Sequence, residues 1–495
     1  MVSRNSPSLS KSRFAAGLQC LKRLYFECFS RDLADAVTPQ QQALFDGGTV
    51  VGELARDRFG PGLLIAEPYF EHTVAVQHTK EAMENDEIRT LFEAAFSFEG
   101  INIRADILTK NDDGSLDLIE VKSSTSYKPE HLPDIAIQQY VIEGLGYFVR
   151  KAGLMHIDNT YVYAGGDYDL ERLFTVEDAS AQAQTYASSE ARGQLTEMWN
   201  VLGSSTEPAI ATGPHCTKPY VCSFYGHCHP AELPHAVNQL PSVSVKLLNN
   251  FKSAGIREIS DIPTGFQGLT DRQLRVRDAV VTGKPYESGD LQTALNDVTY
   301  PIHFLDFETI SPALPLYVGT RPYRQIPFQW SIHTLDSTGG LRHVEYLHNA
   351  ADDPRETLAL EMLEALDDRG SIVVYTGFEE ARIKELADAL PKHRGSLLDL
   401  CGRIFDLHKV LSANYYHPEF HGSWSIKSVL PALIPNLSYA DLDIKDGTLA
   451  SLSFGQMISP ETSEEEKAQI RESLLAYCKR DTEAMVEIYR QLRTE

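Results

Sequence analysis

Long apolar stretches are absent from this chain of 495 residues. No run approaches the roughly 20 apolar residues that a membrane-spanning helix needs, so a membrane protein is excluded as an interpretation. An apolar signal-peptide core is also missing from residues 1–13, which are mostly polar. The sequence therefore predicts a cytoplasmic protein with no membrane partner.

Positive charge is in short supply, with 45 Lys and Arg against 69 Asp and Glu and a formal net charge of -24. Proteins that coat nucleic acid with their whole surface are basic, so that class is disfavoured. A nuclease is compatible, because metal-binding carboxylates add acidity and a substrate groove needs only local positive charge. So acidic a chain also suggests a protein partner that supplies the substrate.

One segment reverses this balance. Residues 1–31 hold six Lys and Arg against Glu27 alone. We interpret this segment as a candidate contact for phosphate groups, and the alternative interpretation is a solvated helix face.

Cysteine is scarce as well, and its seven residues are unevenly spread. An odd number without an export signal argues against a disulfide framework. Three of them, Cys216, Cys222 and Cys228, fall within thirteen residues, a density that indicates a metal site. Cys20 lies far upstream, and four thiolates suit either an iron–sulfur cluster or Zn²⁺.

Mixed helical and strand patterns predict an α/β chain in three parts. Residues 1–230 end in the cysteine cluster, and residues 296–495 form the last part. Between them, in residues 231–295, two short helical stretches flank a Gly-Ile-Arg-Glu-Ile-Ser-Asp-Ile-Pro turn. This order resembles a helix-hairpin-helix-like module, which presents backbone N–H groups to phosphate, and a plain helical linker is the alternative.

The first candidate centre lies in residues 101–122. Their alternation and an Asp-Gly turn predict a β-hairpin that brings Asp106 and Glu120 together. Two carboxylates hold Mg²⁺ or Mn²⁺ through hard oxygen ligands, and the ion polarises a phosphate and acidifies a bound water. Lys122, two residues after Glu120, lies on the same strand face and can orient that water or stabilise developing charge.

The pattern Asp-x13-Glu-Val-Lys, followed by a helix over residues 133–144, resembles the PD-(D/E)xK nucleases of the RecB type. The resemblance implies that Gln138 and Tyr140 on this helix border the site. Glu53, on a helix upstream, is a further candidate ligand, and a solvent-facing charge is the alternative for it.

One distant cysteine and a later triplet resemble the iron–sulfur subgroup of these nucleases, which includes the AddB nuclease domain and the CRISPR adaptation nucleases. The resemblance implies that a [4Fe–4S] cluster staples the two ends of the domain through Cys20, Cys216, Cys222 and Cys228. The triplet here has five residues between its first two cysteines, where that subgroup has two. Zn²⁺, with His215 or His227 as a ligand, stays open as the alternative.

The second candidate centre begins near residue 300. An apolar strand over residues 302–309 carries Asp306 and Glu308 on one face, because they are two residues apart. Residues 373–386 predict a strand that turns into a helix beginning with acids. Glu379 is placed there to give a third carboxylate.

The last predicted helix, over residues 472–492, carries Tyr477 and Asp481 on one face. The whole set resembles the Tyr subgroup of the DEDD exonucleases, which are DnaQ-like and RNase H-like: Asp306, Glu308, Glu379, Tyr477 and Asp481. The resemblance implies an RNase H-like domain with a mixed sheet. There the carboxylates hold two metal ions about 3.5–4 Å apart, and Tyr477 positions the attacking water.

The third motif departs from that family, which has Asn-x-x-x-Phe-Asp. The Asn is missing here and Glu379 replaces the Asp, so Asp399 and Asp406 are rival ligands; a helix cap is the alternative for Asp406. Lys427 and nearby aromatic residues are candidate contacts to a nucleic-acid strand, although core packing explains Trp424 equally well.

Over nearly its whole length the chain resembles a bacterial family of unknown function that joins a RecB-type domain to a DEDD domain. The sequence thus predicts a metal-dependent nuclease that acts on DNA, on single strands or ends, with a PD-(D/E)xK centre and a 3′–5′ DEDD centre. One alternative is that only the first centre is active and the last domain binds nucleic acid. Another is an RNA-processing exonuclease, since DEDD folds serve both polymers.

Overall fold

The computed structural model describes residues 7–229 and 233–493. These residues form two compact units, each with its own sheet and core. Unit 1 comprises residues 7–229 and 313–323, and unit 2 comprises residues 233–312 and 324–493. Both units combine helices with mixed sheets, which confirms the predicted α/β class.

The predicted boundaries can be compared with these units. The boundary at residue 230 falls on residues 230–232, which lie outside the described part of the chain. The boundary at residue 295 lies inside unit 2. Residues 313–323 belong to unit 1, although the sequence prediction placed them in the last domain.

Unit 1 is built on a seven-stranded mixed sheet. Its strands are β1 (Leu9–Ser10), β2 (Leu63–Leu64), β3 (Thr90–Phe98), β4 (Ile101–Lys110), β5 (Leu116–Lys122), β6 (Val149–Ile157) and β7 (Phe174–Asp178). Its helices are α1 (Lys11–Gln19), α2 (Leu21–Phe29), α3 (Pro39–Asp57), α4 (His72–Glu84), α5 (Leu132–Gly144), α6 (Leu170–Leu173), α7 (Ser180–Ser189), α8 (Ala191–Leu202) and α9 (Tyr225–Cys228).

The strand order in this sheet is β2-β3-β4-β5-β6-β7, and β1 pairs with β4 outside that path. Strands β4 and β5 pair antiparallel, so the predicted hairpin is confirmed. Strand β5 continues parallel to β6, and the connection between them is α5. Helix α5 is buried on most of its surface, through Ile135, Ile137 and Val141 among others, and this holds it firmly against the sheet.

Unit 2 contains a five-stranded mixed sheet and a two-stranded one. Its strands are β8 (Tyr286–Glu287), β9 (Ile302–Ile310), β10 (Ile326–Leu335), β11 (Leu341–Leu347), β12 (Ser371–Val374), β13 (Ile404–Asp406) and β14 (Tyr415–Tyr416). Its helices are α10 (Val245–Ser253), α11 (Asp271–Thr282), α12 (Leu291–Leu295), α13 (Arg355–Ala365), α14 (Phe378–Ala389), α15 (Arg394–Cys401), α16 (Leu407–Asn414), α17 (Ile426–Leu433), α18 (Gly447–Met457) and α19 (Glu464–Leu492).

The larger sheet of unit 2 has the order β11-β10-β9-β12-β13. The pairs β11–β10 and β10–β9 are antiparallel, whereas β9–β12 and β12–β13 are parallel. The two faces of β9 differ: Leu305 and Phe307 enter a buried cluster, and Phe304 packs on Tyr489 of α19. Because alternate residues share a face, Asp306 and Glu308 lie on the side that α19 covers.

The two helices predicted within residues 231–295 are present as α10 and α11. A short 3₁₀ turn, Ile259–Asp261, lies between them. In the described residues, no helix is both long and apolar enough to span a bilayer.

Candidate functional site

The hairpin of unit 1 brings its three predicted residues together. Asp106 lies on β4, and Glu120 and Lys122 lie on β5. The backbone N–H of Val121 donates to Asp106 Oδ2 at 2.7 Å, which fixes that carboxylate against the neighbouring strand. The cross-strand geometry expected from the sequence is therefore present.

Lys11, at the start of α1, bridges the two carboxylates. Its Nζ donates to Glu120 Oε1 at 2.9 Å and Oε2 at 2.8 Å, and lies 3.6 Å from Asp106 Oδ1. Burial alone lowers the pKa of Lys11, but the charges of Asp106 and Glu120 outweigh it and raise the pKa. A cation therefore occupies the space between the carboxylates, which shows that this space fits positive charge.

The two carboxyl groups differ in how well their charge is compensated. Burial raises the pKa of Glu120, yet Lys11 and Lys122 more than offset this and hold it well below its usual range. Burial, followed by the charge of Glu120, raises the pKa of Asp106 to about 7. Lys11 and Lys122 compensate Glu120 more fully than Asp106, and a divalent ion would stabilise Asp106 as a carboxylate.

Helix α5 fixes the predicted lysine. Lys122 Nζ lies 2.8 Å from Glu120 Oε1 and donates to Asp134 Oδ2 at 2.7 Å. Gln138 Nε2 donates to Glu120 Oε2 at 2.7 Å, as its predicted place at the site requires. Burial lowers the pKa of Lys122, but the charges of Glu120 and Asp134 prevail and raise it, so this ammonium stays protonated.

Two predicted residues do not join this centre. The Tyr140 hydroxyl donates to Glu99 Oε2 at 2.7 Å, and its ring packs on Phe98. The physical reason is helical geometry, since residues two apart on a helix point in different directions. Glu53 is exposed on α3, which agrees with the alternative of a solvent-facing charge.

Glu93 and Asp134 belong to this centre and were missed. Glu93 lies on β3 beside Asp106, whose pKa its charge helps to raise, and it pairs with Arg56 at 3.2 Å. Its φ of 56° is in the left-handed region, a strained conformation that surrounding structure must hold. The available signal was the one charged residue of the mainly apolar strand Thr90–Phe98.

The four predicted cysteines line one cavity of unit 1, together with Lys22, Arg23 and His215. Cys20 lies between α1 and α2, near the start of the sequence of unit 1, and the triplet lies near the end of its first segment, at residues 216–228. Gln19 Nε2 donates to the carbonyl oxygens of His215 and Tyr220, each at 2.7 Å, so the two ends are joined here. The grouping of distant thiols matches what the resemblance implied.

The spacing of these thiols bears on what they fit. In the described part of the chain, no three of them lie within 4.8 Å of one another. Four thiolates around one Zn²⁺ lie about 3.8 Å apart, from a Zn–S distance near 2.3 Å in a tetrahedron. A single zinc ion would therefore require the thiols to lie closer together than they do here. His215 lines the cavity, whereas His227 packs edge-on against Phe26.

The strand β9 and the helix α19 carry the second centre. Asp306 and Glu308 from β9 and Cys478 from α19 form the one group, among the described residues, whose metal-ligand atoms all lie within 4.8 Å. The Cys478 thiol donates to Asp306 Oδ2 at 3.6 Å. Asp481, one turn further along α19, is buried and raises the pKa of both strand carboxyl groups through its charge.

Glu379 completes the predicted set of four. It lies in the first turn of α14 and is only 4% exposed. Its Oε2 is buried without a hydrogen-bond partner in the described residues. Burial first, and the charges of Asp406 and Asp481 as well, raise its pKa to about 8. A buried oxygen without a partner beside other carboxylates fits a metal ligand.

Burial and mutual repulsion dominate the electrostatics of this centre. Burial, and then the charge of Asp481, raises the pKa of Asp306 and of Glu308 well above their usual values. Burial raises the pKa of Asp481 to about 6, against hydrogen bonds from Tyr439 and Tyr477 that lower it. Three buried carboxyl groups beside the half-buried Asp306, without enough positive charge, are an arrangement that divalent ions stabilise.

Two tyrosines and a lysine surround Asp481. Tyr477 lies one turn before it on α19, and Tyr439 donates its hydroxyl to Asp481 Oδ1. The Lys427 ammonium lies 5.6 Å from the Tyr439 ring centre and 5.5 Å from that of Tyr477. Its charge lowers the pKa of Glu308 and of Asp481, so it faces the carboxylates. Tyr439 was missed because no local pattern links it to α19.

The two rival residues make other contacts, although the charge of Asp406 also acts on Glu379. Asp399 is exposed on α15. Asp406 caps α16, where its side chain accepts from the Lys409 backbone N–H at 2.8 Å, as the helix-cap alternative proposes. Trp424 is 6% exposed and donates its Nε1–H to the Tyr415 carbonyl at 2.8 Å, so it belongs to the packing.

Comparison with known families gives a partial match. Residues 303–425 match the family described as Domain of unknown function (DUF2779). The matched segment includes Asp306, Glu308 and Glu379 and ends before Tyr477 and Asp481.

Two curated relatives are similar over part of the chain. The Uncharacterized protein MG366 homolog of Mycoplasma pneumoniae is 28% identical over 207 residues, which cover 37% of this chain and 31% of the relative. The Uncharacterized protein UU173 of Ureaplasma parvum is 24% identical over 209 residues, which cover 37% of this chain and 30% of the relative. The chain thus spans about a third of the length of these relatives.

Among solved structures, the crystal structure of SSO0001 is 14% identical, with a TM-score of 0.21, and the match covers 42% of this chain and 82% of that one. A TM-score this low supports no fold assignment.

Proposed function

We propose that this protein is a metal-dependent nuclease that hydrolyses phosphodiester bonds of DNA at two centres. The observation that carries the proposal is the meeting of four carboxyl groups and a tyrosine in unit 2, of which only Asp306 is half-buried and the rest are buried: Asp306, Glu308, Glu379, Asp481 and Tyr477. They come from one strand and two helices that are far apart in sequence. A core built for stability alone would not concentrate so many unneutralised acids.

In unit 2 the proposed centre is of the DEDD, RNase H-like kind. Two Mg²⁺ or Mn²⁺ ions would polarise the phosphate and acidify the attacking water. The chain's own part is to hold the four carboxylates at fixed places on β9, α14 and α19. Tyr477 orients a water through its hydroxyl, and Lys427, exposed and over the ring of Tyr477, meets the charge of the incoming phosphate.

In unit 1 the proposed centre is of the RecB-type PD-(D/E)xK kind. Asp106 and Glu120 would ligate the ion, and the ammonium bridge made by Lys11 indicates where a cation fits. Lys122 stays protonated between Glu120 and Asp134 and stabilises the charge that develops on the phosphate. Gln138 holds Glu120 in orientation through a buried hydrogen bond.

We further propose that the four thiols of unit 1 hold a [4Fe–4S] cluster, with Zn²⁺ as the alternative. Burial raises the pKa of Cys222 and of Cys228, and the charges of Arg23 and Lys22, which line the same cavity, offset this in part. Thiolates are the form that ligates metal, so this local positive charge favours binding. The role is structural, because the ligands join the two ends of the unit.

Cys222→Ser is expected to release the cluster and destabilise unit 1. A loss of roughly 3–4 kcal/mol, a fraction of what structural metal sites provide, lowers the melting temperature by roughly 10 °C. Iron and acid-labile sulfide content and thermal unfolding measure this. Cys28→Ser is the control, since Cys28 does not line the cavity. Equal metal content and equal melting temperature in the two variants would contradict the assignment, and zinc without sulfide would select the alternative.

The proposed function is tested with protein purified without oxygen and 5′- or 3′-labelled single and double strands of DNA and RNA in Mn²⁺. Stepwise shortening of the 5′-labelled strand reports 3′–5′ removal of nucleotides, and internal cuts report a second activity. Products of both kinds, absent with a chelator, support two nuclease centres. No metal-dependent product from any polymer rejects the proposal, and products from RNA alone would establish the RNA-processing alternative.

A further inference from the structure

A groove of about 680 Å³ opens beside the carboxylates of unit 1. Its lining includes Asp106 and Lys11 from the candidate centre. The remaining walls come from the residues before and within α1, from α2 and the turn after it, from the turn before α4 and the start of α4, and from strands β3 and β4. The groove therefore leads from the surface directly to the proposed cutting site.

The lining is more basic than the chain as a whole. Two of its three acids already have cations that lie outside the groove: Glu27 pairs with Arg23 at 3.1 Å and Glu93 with Arg56 at 3.2 Å. The third acid, Asp106, faces Lys11. No acid of the lining therefore pairs with the lining residues Arg13, Arg31 and Arg104, in a protein whose net charge is -24.

These arginines differ in their hydrogen bonds and exposure. Arg104 donates to the carbonyl oxygens of Ile65 at 3.2 Å and Glu67 at 2.6 Å, so it holds the loop before α4 against the sheet. Arg13 donates to the neutral Ser8 carbonyl at 2.8 Å, and Arg31 is exposed. Arg13 and Arg31 are therefore placed to meet an anion in the groove.

The loop that Arg104 holds presents two aromatic side chains to solvent. Tyr69 lines the groove and is 82% exposed, and Phe70 beside it is 72% exposed. Their ring centres are 5.5 Å apart and the rings are nearly perpendicular. Exposing two large adjacent rings forgoes the free energy of burial, so the pair indicates a binding surface.

We propose that the groove binds a single strand of nucleic acid, with phosphates on Arg13 and Arg31 and unpaired bases stacked on Tyr69 and Phe70. Basic tracks combined with exposed aromatic rings bind single strands in this way, since every unpaired base offers a face for stacking. A duplex buries those faces. The inference deepens the proposed nuclease function, on which it rests, by naming the strand state of the substrate at the unit 1 centre.

Binding is measured with the full chain carrying Lys122→Ala and Asp306→Asn, so that hydrolysis does not interfere. The probes are oligonucleotides of about 12 residues, within the range that such grooves cover, that contain 2-aminopurine. DNA and RNA of one sequence are titrated in parallel. Tyr69→Ala with Phe70→Ala is expected to weaken binding roughly tenfold or more and to abolish the stacking-dependent quenching of 2-aminopurine.

Two further variants make the test specific. Phe148→Ala is the matched control, because Phe148 is an exposed aromatic residue of unit 1, 65% exposed, that does not line the groove. Its binding and quenching should equal those of the parent. The double substitution Arg13→Gln, Arg31→Gln should make log affinity fall less steeply with log salt concentration. The magnitude of the slope should decrease by about 1.4, at about 0.7 for each phosphate that the protein no longer neutralises.

Loss of quenching in the Tyr69→Ala, Phe70→Ala variant supports the proposal for whichever polymer shows it. Unchanged affinity and quenching in that variant overturn it, as does equal affinity of the parent for a blunt duplex. The two proposals fail separately. If the strand binds through Tyr69 and Phe70 but the wild type cuts nothing, the groove proposal stands and the nuclease proposal is wrong. If the wild type cuts and cutting does not depend on either aromatic residue, the nuclease proposal stands and the groove proposal is wrong.

Discussion

The Asp306→Asn protein is expected to shorten 5′-labelled single strands from the 3′ end about 10³-fold more slowly than the wild type. Asp306 lies half-buried beside the buried carboxylates of unit 2, and its raised pKa reflects desolvation and the nearby charges of Asp481, Glu308 and Glu379. An amide cannot give negative charge to a metal ion. Losing several kcal/mol of metal-assisted stabilisation of the transition state corresponds to about that factor. The initial rate of stepwise shortening in saturating Mn²⁺ measures it.

Asp399→Asn is the matched control for this substitution. It makes the same chemical change in the same unit, at an exposed position on α15 that was a rival ligand. We expect the wild-type rate from it. A wild-type rate from Asp306→Asn would instead mean that unit 2 binds nucleic acid without cutting it. If Asp399→Asn lost activity and Asp306→Asn did not, Asp399 would be the metal ligand in place of Asp306.

Local patterns in the sequence predicted the elements that carry the site. The hairpin over residues 101–122 is readable because strand alternation and the Asp-Gly turn are both short-range signals. The strand with Asp306 and Glu308 is readable for the same reason. Helix α19 begins eight residues before its predicted start, at Glu464 rather than Glu472. The missed signal was a capping box, since the Ser463 side chain and Glu466 cap each other's backbone.

Residues that reach the site through tertiary packing were not predictable in this way. Asp134 holds Lys122 only because α5 packs across β5, and Tyr439 reaches Asp481 from a loop 42 positions away. The same limit applies to residues 313–323, which lie between two strands of unit 2 and pack with unit 1. There, for example, the Tyr323 hydroxyl donates to the Ser123 carbonyl. No periodicity or turn signal encodes such partners.

The family resemblance predicted some positions that local sequence patterns could not, and it misplaced others. It indicated that Cys20 would meet a triplet almost two hundred residues later, which no local rule predicts, and the four thiols do line one cavity. It also placed Tyr140 at the site, where the structure instead pairs its hydroxyl with Glu99. A family motif predicts which residues follow one another along a helix. The direction in which each side chain points depends on how the helix packs in this protein.

Lys122→Ala is expected to lower cleavage by the unit 1 centre by about 10²–10³-fold, the usual loss when one donor to a developing charge is removed. The Lys122 ammonium is fixed between Glu120 and Asp134 at 2.8 and 2.7 Å, and its raised pKa keeps it charged. The measurement is made in the Asp306→Asn background, so that the remaining products come from unit 1. Lys80→Ala, an exposed lysine on α4, is the control and should leave those products unchanged.

Stability separates a chemical role of Lys122 from a structural one. Glu120 is only 1% exposed, and an unpaired carboxylate there would be costly. In the Lys122→Ala protein, however, Lys11 still donates to both Glu120 oxygens and Gln138 to one of them, so the charge stays compensated. Thermal unfolding should therefore match that of Lys80→Ala. Lost cleavage with unchanged unfolding assigns Lys122 to the reaction, whereas full cleavage by Lys122→Ala would remove unit 1 from it.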